Sequence, residues 1–143
     1  MNPRRVVLDS SVVVAGLRSR LGASNRLLEL VAEQRVIPLV TTALFLEYED
    51  VLKRPEQRLA TGMSEADITG FQAAFGSAAE PVDVHFLWRP LLADPDDEVV
   101  LECAVNGRAE AIVTHNTKDF ALAFRELRVA IVTPGVLLKS IEP

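Results

Sequence analysis

Asp94-Pro95-Asp96-Asp97-Glu98 puts four acids into five residues, and a helix-patterned apolar run begins directly behind them. Negative charge at the mouth of a helix has two physical uses. It can cap free N–H groups and meet the positive end of the helix dipole, or it can bind a cation. On a helical wheel at ~100° per residue, Val100, Leu101, Ala104 and Val105 form the apolar stripe. Asp97 falls on the axis of that stripe, while Glu98 and Glu102 lie beside each other off it. A capping aspartate gains from the dipole wherever it points, but a solvated one has no reason to face the core. Asp96 or Asp97 alone therefore reads equally as an N-cap or as a site acid; Asp97 on a buried axis, with other acids near, reads as functional.

Three more carboxylates compete for the same role. Asp9 stands between "VVL" and "SSVVV", which is not the pattern of a solvated face, although a helix cap would also suit it. Glu47 flanks the stripe Leu44, Phe45, Tyr48, Val51 and Leu52, and Glu49 flanks its other side almost as closely. Periodicity does not separate the two, but Glu47 is nearer the helix start. Asp119 reads as a cap for "FALAF" or as a site acid. Carboxylates converging on one place repel one another and resist ionisation unless a cation joins them.

Oxygen donors without a His/Cys cluster suit Mg²⁺ or Mn²⁺ rather than zinc. His85 and His115, the two histidines, are badly spaced for zinc, and His115 reads as an exposed loop residue. Cys103, the one cysteine, lies inside an apolar pattern and reads as a small core residue. The chain has no GxGxxG, GxxxxGK[ST] or GxSxG, which argues against dinucleotide, P-loop and hydrolase-elbow chemistry.

These acids need elements to position them. Short apolar strands are expected over 4–9, 36–41, 81–86, 110–114 and 128–133. Helices are expected over 10–19, 23–34, 42–54, 64–78, 96–107, 119–127 and 134–141, with 55–63 left as a looser stretch. Ser10 and Ser11, Thr42 and Ser64 are placed as caps, and Asn106-Gly107 as a helix stop. Pro38 is awkward for a central strand. Strands alternating with helices predict a parallel sheet covered on both faces, an α/β/α sandwich of four or five strands. Ligands of such sheets bind beyond the carboxyl ends of the strands. Asp9, Thr41-Thr42 and Thr114-His115-Asn116 all sit just there.

The 143 residues fit a single domain, 1–143, with a sizeable core. A hydrophobic fraction of 49% excludes a disordered chain. A net charge of −5 and a pI near 5.0 leave no broad cationic surface, so a nucleic-acid partner needs a local basic patch or a metal. "MNPRRVVLDSSVVVAGL" has arginines before apolar residues, but Asp9, Ser10 and Ser11 interrupt the run and no small-x-small site follows. No apolar run approaches membrane-spanning length. The expectation is a cytoplasmic protein without a membrane partner.

In order along the chain, "VVLDSSVVVAGL", "TTALFLEYEDVLKRP", "DPDDEVVLECAVNGRAEAIVTHNTKDF" and "PGVLL" resemble the PIN-domain family, and most nearly the VapC-like ribonuclease toxins of bacterial type II toxin–antitoxin modules. Each motif alone is weak; the ordered set is specific. The family's first acid, which ends strand one, matches Asp9, with Ser10-Ser11 in place of Thr-Asn. Its glutamate, four before a Val-Leu pair, matches Glu47 before Val51-Leu52. Its third acid, in Asp-x-x-h-x-x-x-Ala, matches Asp97 through Ala104. Its last motif matches Thr114, Asn116, Asp119 and Phe120, with Asn116 where many relatives carry an acid.

The resemblance implies that Asp9, Glu47, Asp97 and Asp119 are catalytic ligands of Mg²⁺ or Mn²⁺, supported by Ser10, Ser11, Asp94, Thr114 and Asn116. It implies hydrolysis of RNA by metal-activated water, a homodimer and a cognate antitoxin. Ile68, Phe71, Ala74 and Phe75 share the face that would pair two copies or simply cover the sheet. Arg18, Arg20, Arg26 and Lys118 are candidate RNA contacts, although any one of them also reads as solvated surface. Trp88 reads as core packing or as the wall of an antitoxin groove. Ser11 and Asn116 support a rival reading, a catalytically weakened scaffold that binds protein or RNA.

Overall fold

The computed structural model describes residues 2–85 and 91–143. The first strand, β1 (Arg4–Leu8), runs into α1 (Ser10–Arg18) and α2 (Ala23–Ala32), then β2 (Val36–Val40). Three helices follow, α3 (Thr42–Lys53), α4 (Pro55–Thr61) and α5 (Glu65–Ala78), and lead to a two-residue strand, β3 (Glu80–Pro81). The chain then forms α6 (Pro95–Gly107), β4 (Ala111–Val113), a 3-10 turn (Thr117–Phe120), α7 (Ala121–Leu127), β5 (Ile131–Val132) and α8 (Pro134–Ile141).

The five strands are all parallel, in the order β3-β2-β1-β4-β5. The result is the three-layer α/β/α sandwich expected from alternating elements. Helix α6 lies across β1, β2 and β4, while α1, α2 and α8 pack against one another and α3 packs against α1, α5 and α6. Val6, Val7, Leu8, Leu39, Ile112 and Val113 are fully buried, as sheet residues covered on both faces must be. The chain works outward from β1 to β2 and β3, then returns to place β4 on the free side of β1. The order therefore reverses between β1 and β4, and a crevice opens beyond their carboxyl ends.

Local differences from the sequence reading have physical causes. Residues 55–61 form a helix because Pro55 occupies its first turn, where proline is pre-set for helix and its missing N–H is not needed. The strand expected over 81–86 is Glu80–Pro81; Val82–His85 has no strand assignment and Phe86 lies outside the described residues. Pro38 is tolerated because β3 pairs only with Leu39 and Val40. The caps shift by a residue or more. Thr41, not Thr42, accepts from the Leu44 N–H at 3.1 Å. Asp9, not Ser10 or Ser11, precedes α1, and its side chain makes no capping bond. Ser64 caps α5 as expected, in a capping box closed by Asp67. At the end of α6 the left-handed residue is Arg108, with φ 52°, rather than Gly107. Gly107 is needed for space: a Cβ there would stand 2.9 Å from both Leu39 and Val82.

Ile68 and Phe75 of α5 are buried, and Phe75 meets Tyr48 edge to face at 5.6 Å between ring centres. Much of the proposed pairing face thus covers the core. Phe71, Ala74 and Ala78 line what remains of it, a shallow apolar groove shared with Leu28, Val31 and Ala32 of α2.

Candidate active site

Parallel pairing aligns Leu8 with Val113, so the next residue of each strand, Asp9 and Thr114, emerges side by side at the point where the strand order reverses. The Asp9 N–H donates to the Val113 carbonyl at 2.9 Å and fixes the backbone there. Asp9 is only 6% exposed, and two hydroxyls satisfy one of its oxygens. Thr114 Oγ1 donates to Asp9 Oδ2 at 2.7 Å and Ser11 Oγ donates to the same atom at 2.9 Å. The start of α1 directly after Asp9 adds the favourable end of a helix dipole. Among the described residues Oδ1 makes no hydrogen bond, so that oxygen is available to a ligand.

Three further contacts hold this corner. The Tyr48 hydroxyl, from α3, donates to the Leu8 carbonyl. Burial raises its pKa well above the ordinary 10, with Cys103 and Asp9 acting in the same direction, so the group stays a neutral donor. The His115 N–H donates to Ser11 Oγ at 3.5 Å, and the His115 ring lies 3.0 Å from the buried Ser24 hydroxyl. His115 is exposed, as expected for its loop, but its ring is tied to α2.

The crevice is a cavity of about 240 Å³ whose wall carries Asp9, Glu47, Asp94, Asp96, Asp97 and Asp119. Ser10, Ser11 and Asn116 also line it, and Thr114 lies buried behind Asp9. All four carboxylates singled out in the sequence thus share one depression. Glu47 and Glu49, inseparable by periodicity, part here: Glu47 faces the cavity, while Glu49 pairs with Lys53 at 3.8 Å.

The acids at the start of α6 divide the work between them. Asp94 is the N-cap, accepting from the Asp96 N–H at 2.9 Å. Glu98 accepts the Leu91 and Leu92 N–H groups and so anchors the approach to the helix. Asp96 stands within electrostatic reach of Glu47. Asp97 is half-buried in the cavity, and its pKa is pushed up from 3.8 to about 6, chiefly by desolvation and then by Asp9, Asp94, Asp119 and Asp96. Glu47 is shifted upward too, first by burial and then by Asp96 and Asp50. Carboxylates that raise one another's pKa in a partly dry cavity favour a cation that would relieve the repulsion.

Among the described residues, no three His, Cys, Asp or Glu side chains already form a group tight enough to hold a metal ion. The carboxylates instead stand around the cavity wall. Their donor chemistry, all oxygen and strongly anionic, still fits a hard divalent cation. Cys103 is not part of the site: it is buried in the core, with its pKa pushed up to about 12 by desolvation.

The basic residues expected at an RNA surface separate. Lys118 lies beside Asp119 on the rim. Arg18 and Arg20 lie at and beyond the far end of α1, and neither lines the cavity. Arg26 is held by Glu142, Glu33 and Glu29, with its closest approach 2.5 Å to Glu142, so it is a structural tie between α2 and the carboxyl-terminal residues. The wall also includes Arg54 and Gln57, which sequence reasoning missed. Arg54 pairs with Asp50 at 3.1 Å, and Gln57 Oε1 is buried without a partner among the described residues. Single polar residues at a helix junction leave no periodic signal by which to find them. Trp88 lies outside the described residues.

A family model described as PIN domain matches residues 5–118, a span that contains Asp9, Glu47 and Asp97 and ends one residue before Asp119. No curated protein matches the chain.

Proposed function

The chain belongs to the PIN-domain family, and from that premise we propose that it is a Mg²⁺- or Mn²⁺-dependent endoribonuclease, the toxin of a type II toxin–antitoxin pair. Family membership supports hydrolysis of nucleic acid in general. The observation that carries the finer reading is the shared cavity of Asp9, Glu47, Asp97 and Asp119, where burial first and the neighbouring acids second raise the Asp97 pKa.

Asp9, through its unengaged Oδ1, would hold the cation together with Glu47, Asp97 and Asp119. A bound Mg²⁺ or Mn²⁺ lowers the pKa of a water and offsets charge on phosphoryl oxygens. The protein's own part is positional. Thr114 and Ser11 hold Oδ2 of Asp9 and so fix the direction of Oδ1. The Tyr48 bond to Leu8 keeps the end of β1 in place beneath it. The chemistry needs no histidine base, which accords with a site wall built of carboxylates.

The proposal extends to two protein partners. A cationic side chain from an antitoxin suits an acidic cavity, and arginine suits it best because its planar fork pairs carboxylates bidentately. A homodimer could use the groove between α2 and α5. The rival reading, a binding scaffold with weakened catalysis, draws on Asn116, an amide on the cavity wall in place of a fourth-motif acid. Cleavage of single-stranded RNA by the purified chain separates the two. The nuclease reading expects cutting with Mn²⁺ or Mg²⁺, none with EDTA and none by Asp9→Asn; the scaffold reading expects binding without cutting.

A further inference from the structure

A second depression, of about 420 Å³, opens beside the carboxylates and shares Asp94, Asp97 and Asp119 with the first. Its other wall has a different chemistry, made of Leu92, Leu122, Lys118 and Arg125. Lys118 belongs to the 3-10 turn and Arg125 to the helix that continues it; steps of four and three residues bring Lys118, Leu122 and Arg125 to one side. Leu92 is buried at the base, whereas Leu122 is 38% exposed.

The two cations are not committed to acids, a state they share with six other basic residues among those described; what sets them apart is that both line this cavity. Arg4, Arg5, Arg26, Arg35, Lys53 and Arg54 all take part in ion pairs. Among the described residues Lys118 and Arg125 take part in none. Two uncommitted positive charges and an apolar ledge thus face three carboxylates across one cavity. A polyanion approaching an acidic site is repelled unless cations receive the phosphates that flank the reacting one. A ledge that also covers apolar surface suits a base or sugar more than it suits a bare ion.

We propose that this depression seats the nucleotide adjoining the scissile phosphate of a single-stranded RNA, with Arg125 and Lys118 on its phosphate and Leu122 and Leu92 against its base. The assignment rests on the nuclease reading above. A single strand is required because a base held in a duplex is not free to lie on the ledge.

The test is fluorescence anisotropy of a labelled single-stranded RNA decamer, in EDTA so that no cleavage intervenes, across a range of salt. Removing one phosphate contact from a single strand makes the slope of log K against log salt shallower by about 0.7, which is about fivefold in affinity at ~0.1 M salt. Arg125→Ala and Lys118→Ala are each expected to show that change. Leu122→Ala is expected to weaken binding with the slope unchanged, and Lys139→Ala, on α8, to alter neither. Circular dichroism checks that each variant is folded. Wild-type affinity and slope in Arg125→Ala and Lys118→Ala, or equal affinity for a duplex of the same sequence, overturns the subsite. If the wild-type chain still cuts RNA with Mn²⁺ in that case, the nuclease reading survives alone. A wild-type chain that neither binds nor cuts RNA overturns both.

Discussion

The Thr114 hydroxyl donates to Asp9 Oδ2 across 2.7 Å, although the two residues lie 105 positions apart in the chain. The contact exists because β1 and β4 pair in parallel at the point where the sheet changes direction. It uses one oxygen of a buried carboxylate and leaves the other free. Thr114→Val keeps the side-chain shape and deletes the donor. We expect a loss of about 1–3 kcal/mol in stability and roughly 10–100-fold weaker Mn²⁺ binding, the usual effect of removing a group that orients a metal ligand. Thr114→Ser restores both. Chemical denaturation and metal titration read the two effects separately.

Asp97 gives a test that depends on pH. Its folded pKa is raised, so between its ordinary 3.8 and about 6 the folded chain keeps a proton that the unfolded chain has released. Without metal, this group's contribution to stability therefore falls as pH rises through that window and stays low above it. Glu47, shifted the same way, adds to the trend. Asp67, Glu80 and Glu142 have lowered pKa values and act in the opposite sense, so the informative quantity is the variant minus wild type. Asp97→Asn should be more stable than wild type at pH 7.5 in EDTA, by on the order of 1 kcal/mol once partial exposure is discounted. The difference should shrink toward pH 4. A variant less stable than wild type at pH 7.5 would mean that Asp97 serves the fold instead.

Tyr48 links the core to the site. Tyr48→Phe leaves the Leu8 carbonyl buried without its donor, and we expect a cost of about 1–3 kcal/mol in thermal or urea unfolding. Because Asp9 follows Leu8 directly, metal affinity should fall as well. Unchanged stability would show that the hydroxyl bond contributes nothing net.

Much of this arrangement was legible in the sequence, and what was not has identifiable causes. The alternation of apolar strands and helices carried the layers of the sheet, because burial on both faces leaves continuous apolar runs such as "VVL" and "AIV". Helix α4 was hidden because Pro55 reads as a breaker when placed inside a segment and as a starter only once the boundary is known. Thr41 and Asp94 took the cap positions that neighbouring residues of similar type could have filled. At the site, Asp9 stood out as an acid between apolar runs, and Asp97 as an acid on a buried axis. Glu47 could not be told from Glu49 until the helix was docked. Arg54 and Arg125 were invisible because a single exposed polar residue looks the same on any surface, and Gln57 because a lone polar residue in a short helix carries no periodic signal of its burial. Arg26 misled for that reason, since its partner Glu142 is 116 residues away.

The most direct test of the shared carboxylate site is a calorimetric titration of Mn²⁺ into the metal-free protein at pH 7.5, where Asp97 is ionised. A saturable site is expected that weakens at least tenfold in each of Asp9→Asn, Glu47→Gln and Asp97→Asn, with Glu126→Gln, on the exposed side of α7, binding as wild type. Binding should also weaken below pH 6, where Asp97 retains its proton. Wild-type Mn²⁺ affinity in all three variants, or no saturable binding to the wild-type chain, would contradict the shared carboxylate site.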